Sequence, residues 1–314
     1  MVLGLGAIGL GGQQLWGGWP LIENKIAKED GEWSPAGVPE QLWISTLESS
    51  VERAPNFRRY LKLGILYQSQ AMKVQGEERD DLLVQAMKNY RIASERHPYS
   101  LVSRINIAKI ETDRGDYIAA NDVYKSISKE ASSRERWFRM HSLWAAMQLR
   151  WARVNEQNGE DDEANKHYTQ SLKLYRKSKE IAGFDLNHQW LIEYSRALLV
   201  YARYLDRHKR FDEAEEILHK CMQLADWVNN SKYTGLYMER GRHYYLRARQ
   251  LWFKRKPEEA AKLVKTSLQL YTQHKRVLKG EVNDSWKQAY KEAKEMDEFF
   301  INTGVGQKRK GTEH

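Results

Sequence analysis

Cysteine is almost absent from this chain of 314 residues, which contains Cys221 and no other. That excludes an intramolecular disulfide and a cysteine-built zinc site, and it leaves the redox compartment undecided. Long apolar runs are equally scarce. Mean hydropathy is −0.76 and 30% of residues are charged, so a multi-span membrane protein is excluded. Only the first 22 residues, up to Glu23, lack charge over a bilayer-length stretch. Proline is sparse, and the interior has long runs free of both proline and glycine, rich in Ala, Leu, Glu, Lys and Arg, the good helix formers. Runs of short β-branched strands are missing too.

What is present is an excess of base. Fifty-one Lys and Arg stand against 42 Asp and Glu, a formal charge of +9 that favours anionic partners without selecting among acidic protein, nucleic acid, glycan or lipid headgroup.

The opening segment, MVLGLGAIGLGGQQLWGGWP, holds a G-x-G-x-x-G pattern at Gly4, Gly6 and Gly9. A dinucleotide site needs a strand before the first glycine and a helix after the third. Here only three residues precede Gly4, the helix is interrupted by further glycines, and Pro20 falls where a second strand would run. An NAD-dependent enzyme is therefore the outlying reading. The favoured one is a Gly-rich apolar segment at a membrane, with Gly4, Gly6 and Gly9 permitting close helix packing and Trp16 and Trp19 at the interface. The alternative is a leader or packed cap.

From Pro39 onward apolar residues are spaced by three and four, and breakers recur at Pro55-Asn56, Gly76, Pro98, Gly115-Asp116, Gly159, Asn229-Asn230, Pro257 and Gly280. This predicts about a dozen helices joined by short turns. Ser132-x-x-Glu135 reads as a capping box and Ser100 as an N-cap.

The helices repeat. Ala86, Tyr90 and Ala93 stand at offsets 0, 4 and 7, and the pattern recurs at Ala120-Tyr124-Ile127, Ala164-Tyr168-Ser171, Ala214-Leu218-Cys221 and Ala260-Val264-Ser267. A small residue, a larger apolar one and a small or medium one at these offsets share one helix face, on which a neighbouring helix packs closely. The first spacing is 34 residues; later ones are 44, 50 and 46, so helices are lengthened or loops inserted.

This pattern resembles helix B of the tetratricopeptide repeat. Tyr60, Leu63, Gly64 and Tyr67 match the family's helix A, whose small position recurs at Ala108, Ala152, Ala202 and Ala248. The phrases GDYIAA, RFDEAEEIL and KPEEAAKLV are similar to its between-helix segment. The resemblance covers roughly residues 40–276 and implies an all-α fold, an α-solenoid of about five hairpins, with Asp284 to Phe300 as the capping helix a solenoid needs. The organisation expected is an apolar segment over 1–22, a linker over 23–38, the repeat domain over 39–301 and a basic tail over 302–314.

In four successive helix-A segments the small residue is followed by a base: Lys109, Arg153, Arg203 and Arg249. In a tetratricopeptide-like array this position lines the concave groove. Arg58, Arg196 and Arg242 lie about two turns earlier, close to the same face. Tyr245 and Trp252 share that face with Arg249 and complete the expected partner-binding set. The competing reading is that long basic side chains snorkel from half-buried positions. Trp137, Trp144 and Trp151 recur every seven residues and read as inter-helix core rather than a stacking platform.

Nothing points to catalysis. Nine histidines are scattered without an H-E-x-x-H motif, and Ser126-x-x-Lys129 lacks the companion motifs of serine-lysine hydrolases. No cofactor or metal is expected. The leading expectation is a non-catalytic scaffold that binds an acidic protein segment or an anionic glycan through a basic groove. Nucleic acid, RNA in particular, is the alternative partner. The stretches APNFRRYLKLGILYQSQ and HPYSLVSRINIAKI, after an apolar Trp-ended segment, resemble the C-terminal repeat region of bacterial O-antigen ligase and polymerase type proteins. That resemblance implies a bacterial envelope setting, membrane-anchored with a periplasmic repeat domain, serving polysaccharide assembly; a cytoplasmic setting is the alternative. The oligomeric state is left open.

Overall fold

The computed structural model describes residues 39–305 apart from 131–133, 183–187 and 229–233. The apolar segment with Gly4, Gly6, Gly9, Trp16 and Trp19, the Ser132 capping box, Asn229-Asn230, the side chain of Trp137 and the tail from 306 lie outside the described residues. Among the described residues no helix is long and apolar enough to cross a membrane.

The fold is all-α, with twelve helices and no strand among the described residues. They are α1 (Glu40–Arg53), α2 (Phe57–Ala71), α3 (Glu77–Arg96), α4 (Leu101–Arg114), α5 (Tyr117–Glu130), α6 (Arg134–Gln157), α7 (Asp161–Ala182), α8 (His188–Arg207), α9 (Phe211–Val228), α10 (Thr234–Phe253), α11 (Pro257–Val277) and α12 (Asp284–Asn302). Within each of the chain's two compact units successive helices pack on one another as hairpins, as in an α-solenoid. The chain divides into two compact units, Met1–Arg136 and Trp137–His314. Helices α1–α5 belong to the first; α6 is described with the second.

The repeat pattern is the core. All fifteen helix-B residues of the five triplets are buried, and so are Gly64, Ala108, Ala152, Ala202 and Ala248 on the helices they face. Small side chains at both positions let the two backbones approach, and the larger residue between them fills the remaining space. The third position of the triplet adds a polar tie. Ser171 Oγ donates to the carbonyl of Ala145 at 2.8 Å, Ser267 Oγ to that of Gly241 at 2.7 Å, and Cys221 Sγ lies 3.8 Å from that of Ser195. Each spans 26 residues and each satisfies a buried group inside a hairpin.

In the first unit α1 packs on α2 through Trp43, Ile44, Leu47, Leu63 and Leu66. Helices α2 and α3 then close over Ala71, Leu83, Ala86, Met87 and Tyr90, and α4 pairs with α5. In the second unit the helices are longer. They run from 18 to 24 residues in α6–α11 against 14 in α4 and α5, so lengthened helices account for much of the stretched spacing. Helix α12 covers the last hairpin as expected, burying Trp286, Ala293 and Phe300, with Trp286 Nε1 donating to the Tyr271 carbonyl at 3.1 Å.

Four turns joining the helices of a hairpin have one geometry. Gly115, Gly159, Lys209 and Arg255 adopt φ of 84°, 78°, 60° and 59°, and the next amide reaches five residues back, as from Asp116 to Glu111 or Arg210 to Leu205. These are left-handed helix closures, which glycine adopts without steric cost. Lys209 and Arg255 adopt the same conformation despite carrying a Cβ.

One local expectation changes. Ser100 stands at the N-cap of α4, but its hydroxyl meets that of Ser103 at 3.4 Å rather than capping a backbone amide. Ser126 donates to the Val123 carbonyl and accepts from Arg104 at 2.8 Å, a structural role.

Candidate functional site

The A-type helices of the second unit, α6, α8 and α10, carry most of the expected basic set. Arg153, Arg196, Arg203, Arg242 and Arg249 are all exposed. They share a face because 196 and 203, like 242 and 249, are two helical turns apart, while 153, 203 and 249 each follow the buried small residue. The helix pins its apolar side into the hairpin and turns the next position outward.

Ion pairs show that these faces adjoin. Arg203 on α8 reaches Glu239 on α10 at 2.5 Å, one turn before Arg242. Arg207, one turn beyond Arg203, pairs with Glu156 of α6, one turn beyond Arg153. The hydrogen bond that Arg203 donates to Glu239 holds the Arg203 pKa above its ordinary value, and the carboxylate's charge adds to it against the cost of burial. Glu156 also accepts the Tyr168 hydroxyl at 2.7 Å.

The charge balance on this face follows. Its acids Glu156 and Glu239 are already engaged, whereas Arg153, Arg196, Arg242 and Arg249 make no ion pair among the described residues. Arg249 lies over the ring of half-buried Tyr245, 5.9 Å from its centroid. Burial, with Glu292 and Glu295 of α12 nearby, raises the Tyr245 phenol, and Arg249 opposes this, so the hydroxyl stays protonated. An extended anion laid along α6, α8 and α10 would meet guanidinium groups that form no ion pair among the described residues.

Trp252 goes elsewhere. Its ring makes edge contacts with Phe299 and Phe300 at 5.2 and 5.4 Å, so it is largely a seal between α10 and the capping helix, 37% exposed. Arg58 and Lys109 lie on α2 and α4 of the first unit. Arg58 is exposed beside the Phe57 ring, and Lys109 is half-buried. Trp144 is buried and Trp151 stacks on His167 at 3.8 Å, which fits the core reading of that stripe. Sequence reasoning missed Glu239, Glu156 and Arg207, whose pairings join helices about 36 and 51 residues apart. Their only local signal is position, one turn from a base of the ladder. Among the described residues no group of three or more His, Cys, Asp or Glu is placed to hold a metal ion.

No family model matches this chain, and no curated protein matches it. Among solved structures it is similar to YrrB, described as a TPR protein with an unusual peptide-binding site. The identity is 11% and the TM-score 0.41, over 74% of this chain and 95% of that one.

Proposed function

We propose that the chain is a non-catalytic helical-repeat scaffold whose second unit binds an acidic segment of a protein partner along α6, α8 and α10. The observation that carries this reading is the surplus of exposed guanidinium groups at Arg153, Arg196, Arg242 and Arg249, which form no ion pair among the described residues, beside carboxylates already engaged with Arg203 and Arg207. Hairpin burial supplies a rigid backbone, so the cations are held at fixed spacing before a partner arrives. Preorganisation of this kind reduces the entropy lost on binding, and charge complementarity sets selectivity and on-rate. Tyr245, beneath Arg249, adds an apolar surface at one end of the strip.

The test is competition. A labelled Glu-rich peptide bound by the full-length chain is challenged with unlabelled acidic peptide, with single-stranded RNA and with an acidic polysaccharide. Displacement by acidic peptide at far lower concentration than by either polymer supports the protein-partner reading. Displacement chiefly by RNA, with a steep loss of affinity as salt rises, assigns the face to nucleic acid.

A further inference from the structure

The B-type helices α7 and α9 flank α8, which runs antiparallel to both. Tyr175 of α7 stacks on Tyr194 of α8 with ring centroids 5.4 Å apart, and Cys221 of α9 meets the Ser195 carbonyl beside it. Two turns further along α8, Tyr201 and, from just before α9, Arg210 each reach Asn165 of α7 at 3.0 Å. Between these contacts the three helices leave an open cleft of about 830 Å³. Its floor is Tyr194, Leu198, Tyr201 and Leu205, whose offsets of 0, 4, 7 and 11 place them on one face of α8. The walls add Leu172 and Arg176 from α7, and Glu216, Ile217, Lys220 and Leu224 from α9.

The apolar strip is deep but reachable. Leu172 is 6% exposed, Tyr201 5% and Ile217 9%, and Leu224 is half-buried. A cleft of this size with an apolar floor and a few polar groups suits a small molecule. A partner helix, about 10–12 Å across, would rest on the rim, whereas a methylene chain lies along the strip.

The polar groups gather at one end. Tyr194 is 7% exposed, its ring packs on Tyr175 and Trp190, and its hydroxyl makes no hydrogen bond among the described residues. Unlike the Tyr271 hydroxyl it is not sealed off, since Tyr194 lines the cleft. Burial raises the Tyr194 phenol above its ordinary pKa and nearby Arg176 opposes the rise, so the hydroxyl keeps its proton. Exposed Arg176 and Lys220 stand on opposite walls here and form no ion pair among the described residues. Towards the other end Glu213 is held by two nitrogens of Arg210 at 2.6 Å, and exposed Glu216 stands one turn before Lys220. A hydroxyl donor and two cations favour an anion at the Tyr194 end, while the apolar strip and Glu216 disfavour one further along. The matching occupant is charged at one end and apolar along its length.

We infer that the cleft between α7 and α9 binds an anionic amphiphile with a single alkyl chain, a medium-chain fatty acid. Its carboxylate lies at Tyr194, Arg176 and Lys220, and its chain runs along Leu172, Tyr201 and Ile217. From Arg176 back to Thr169, also in the wall, is two helical turns, roughly 10 Å, which sets the length of chain the strip holds. The site is separate from the basic strip on α6, α8 and α10. Arg196 and Arg203 follow Tyr194 and Tyr201 by two residues, so they leave α8 on the opposite side.

The test is calorimetric titration of the full-length chain with decanoate, octanoate, decanol and decyltrimethylammonium, all below micelle formation. Expected is saturable binding of a single decanoate, roughly tenfold tighter than octanoate because two more methylenes are buried, with little binding of the cation. Arg176→Gln combined with Lys220→Gln, both exposed changes, should weaken decanoate tenfold or more and leave decanol unchanged. Lys173→Gln combined with Lys262→Gln removes the same charge outside the cleft and should change neither. Tyr194→Phe keeps the ring packing and should weaken decanoate about fivefold at an unchanged melting temperature. A Glu-rich peptide should not displace decanoate, and its own binding should survive the Arg176 and Lys220 changes, so this site and the basic strip can each fail alone. Equal binding of decyltrimethylammonium, undiminished binding by both the double variant and Tyr194→Phe, or no saturable binding overturns the inference. Displacement of decanoate at lower concentration by a Leu-rich amphipathic helical peptide assigns the cleft to a protein segment and overturns the fatty acid.

Discussion

The Tyr90 ring occupies the space above Gly64 so closely that a Cβ there would stand 2.6 Å from both Cδ1 and Cε1 of the ring. Gly64 is the small position of the first hairpin and Tyr90 is the large residue of the facing helix. The pair belongs to the pattern that resembles the tetratricopeptide repeat, and in the fold it is a direct contact. Gly64→Ala should destabilise the chain by about 1–3 kcal/mol through overpacking. Pairing it with Tyr90→Leu should recover part of that loss, a coupling that a double-mutant cycle in urea measures.

Lys209 and Arg255 hold the left-handed turn conformation that Gly115 and Gly159 hold in equivalent turns. A side chain there costs roughly 1–2 kcal/mol, against which glycine adds entropy to the unfolded chain. Lys209→Gly and Arg255→Gly should each stabilise by about 0.5–1 kcal/mol, read as a higher urea midpoint. Gly159→Ala should do the reverse, since its φ is 78°.

Much of the scaffold was legible in the sequence because burial repeats. Ala86, Ala120, Ala164, Ala214 and Ala260 each stand at a close helix contact, so the same requirement is written five times and survives the stretched spacing. The tie from Ser171, Cys221 and Ser267 to a facing carbonyl was half legible: the residues belong to the triplets, but their acceptors are backbone atoms of another helix. The turns at Lys209 and Arg255 gave no glycine signal. The candidate site was less legible still. Successive bases are visible one helix at a time, whereas which of them a carboxylate neutralises depends on packing that brings Glu239 to Arg203. Trp252 is expected beside Arg249 on the groove face, but its ring contacts Phe299 and Phe300 of the capping helix, which the local spacing does not reveal.

Cys221 is fully buried, and burial pushes its thiol up to about 12, only partly opposed by the contact with Ser195. Thiolate is the reactive form, so the native chain should resist iodoacetamide near neutral pH. Labelling should become complete only in denaturant, as followed by intact mass. Cys221→Ser should be tolerated, because serine occupies the same place at 171 and 267.

Burial lowers the pKa of His167 below its ordinary value of 6.5, although the Glu163 carboxylate pulls it the other way. The unfolded chain then takes up this proton first as the pH falls. The stability contributed by neutral His167 is present above about pH 6.5 and is lost as the pH drops through the folded value. Urea midpoints for the native chain should fall between pH 7.5 and 5, and His167→Gln should flatten that slope. An equal slope in the variant would remove His167 from the account.

The most direct measurement is the affinity of a labelled Glu-rich peptide for the full-length chain and for four single reversals, Arg153→Glu, Arg196→Glu, Arg242→Glu and Arg249→Glu. Lys173→Glu and Lys262→Glu, exposed positions on α7 and α11, are matched controls. Each arginine reversal should weaken binding roughly tenfold or more and reduce its salt dependence, while the lysine reversals change it little. Equal losses in both sets would show that net charge alone attracts the peptide, and would contradict a binding face on α6, α8 and α10.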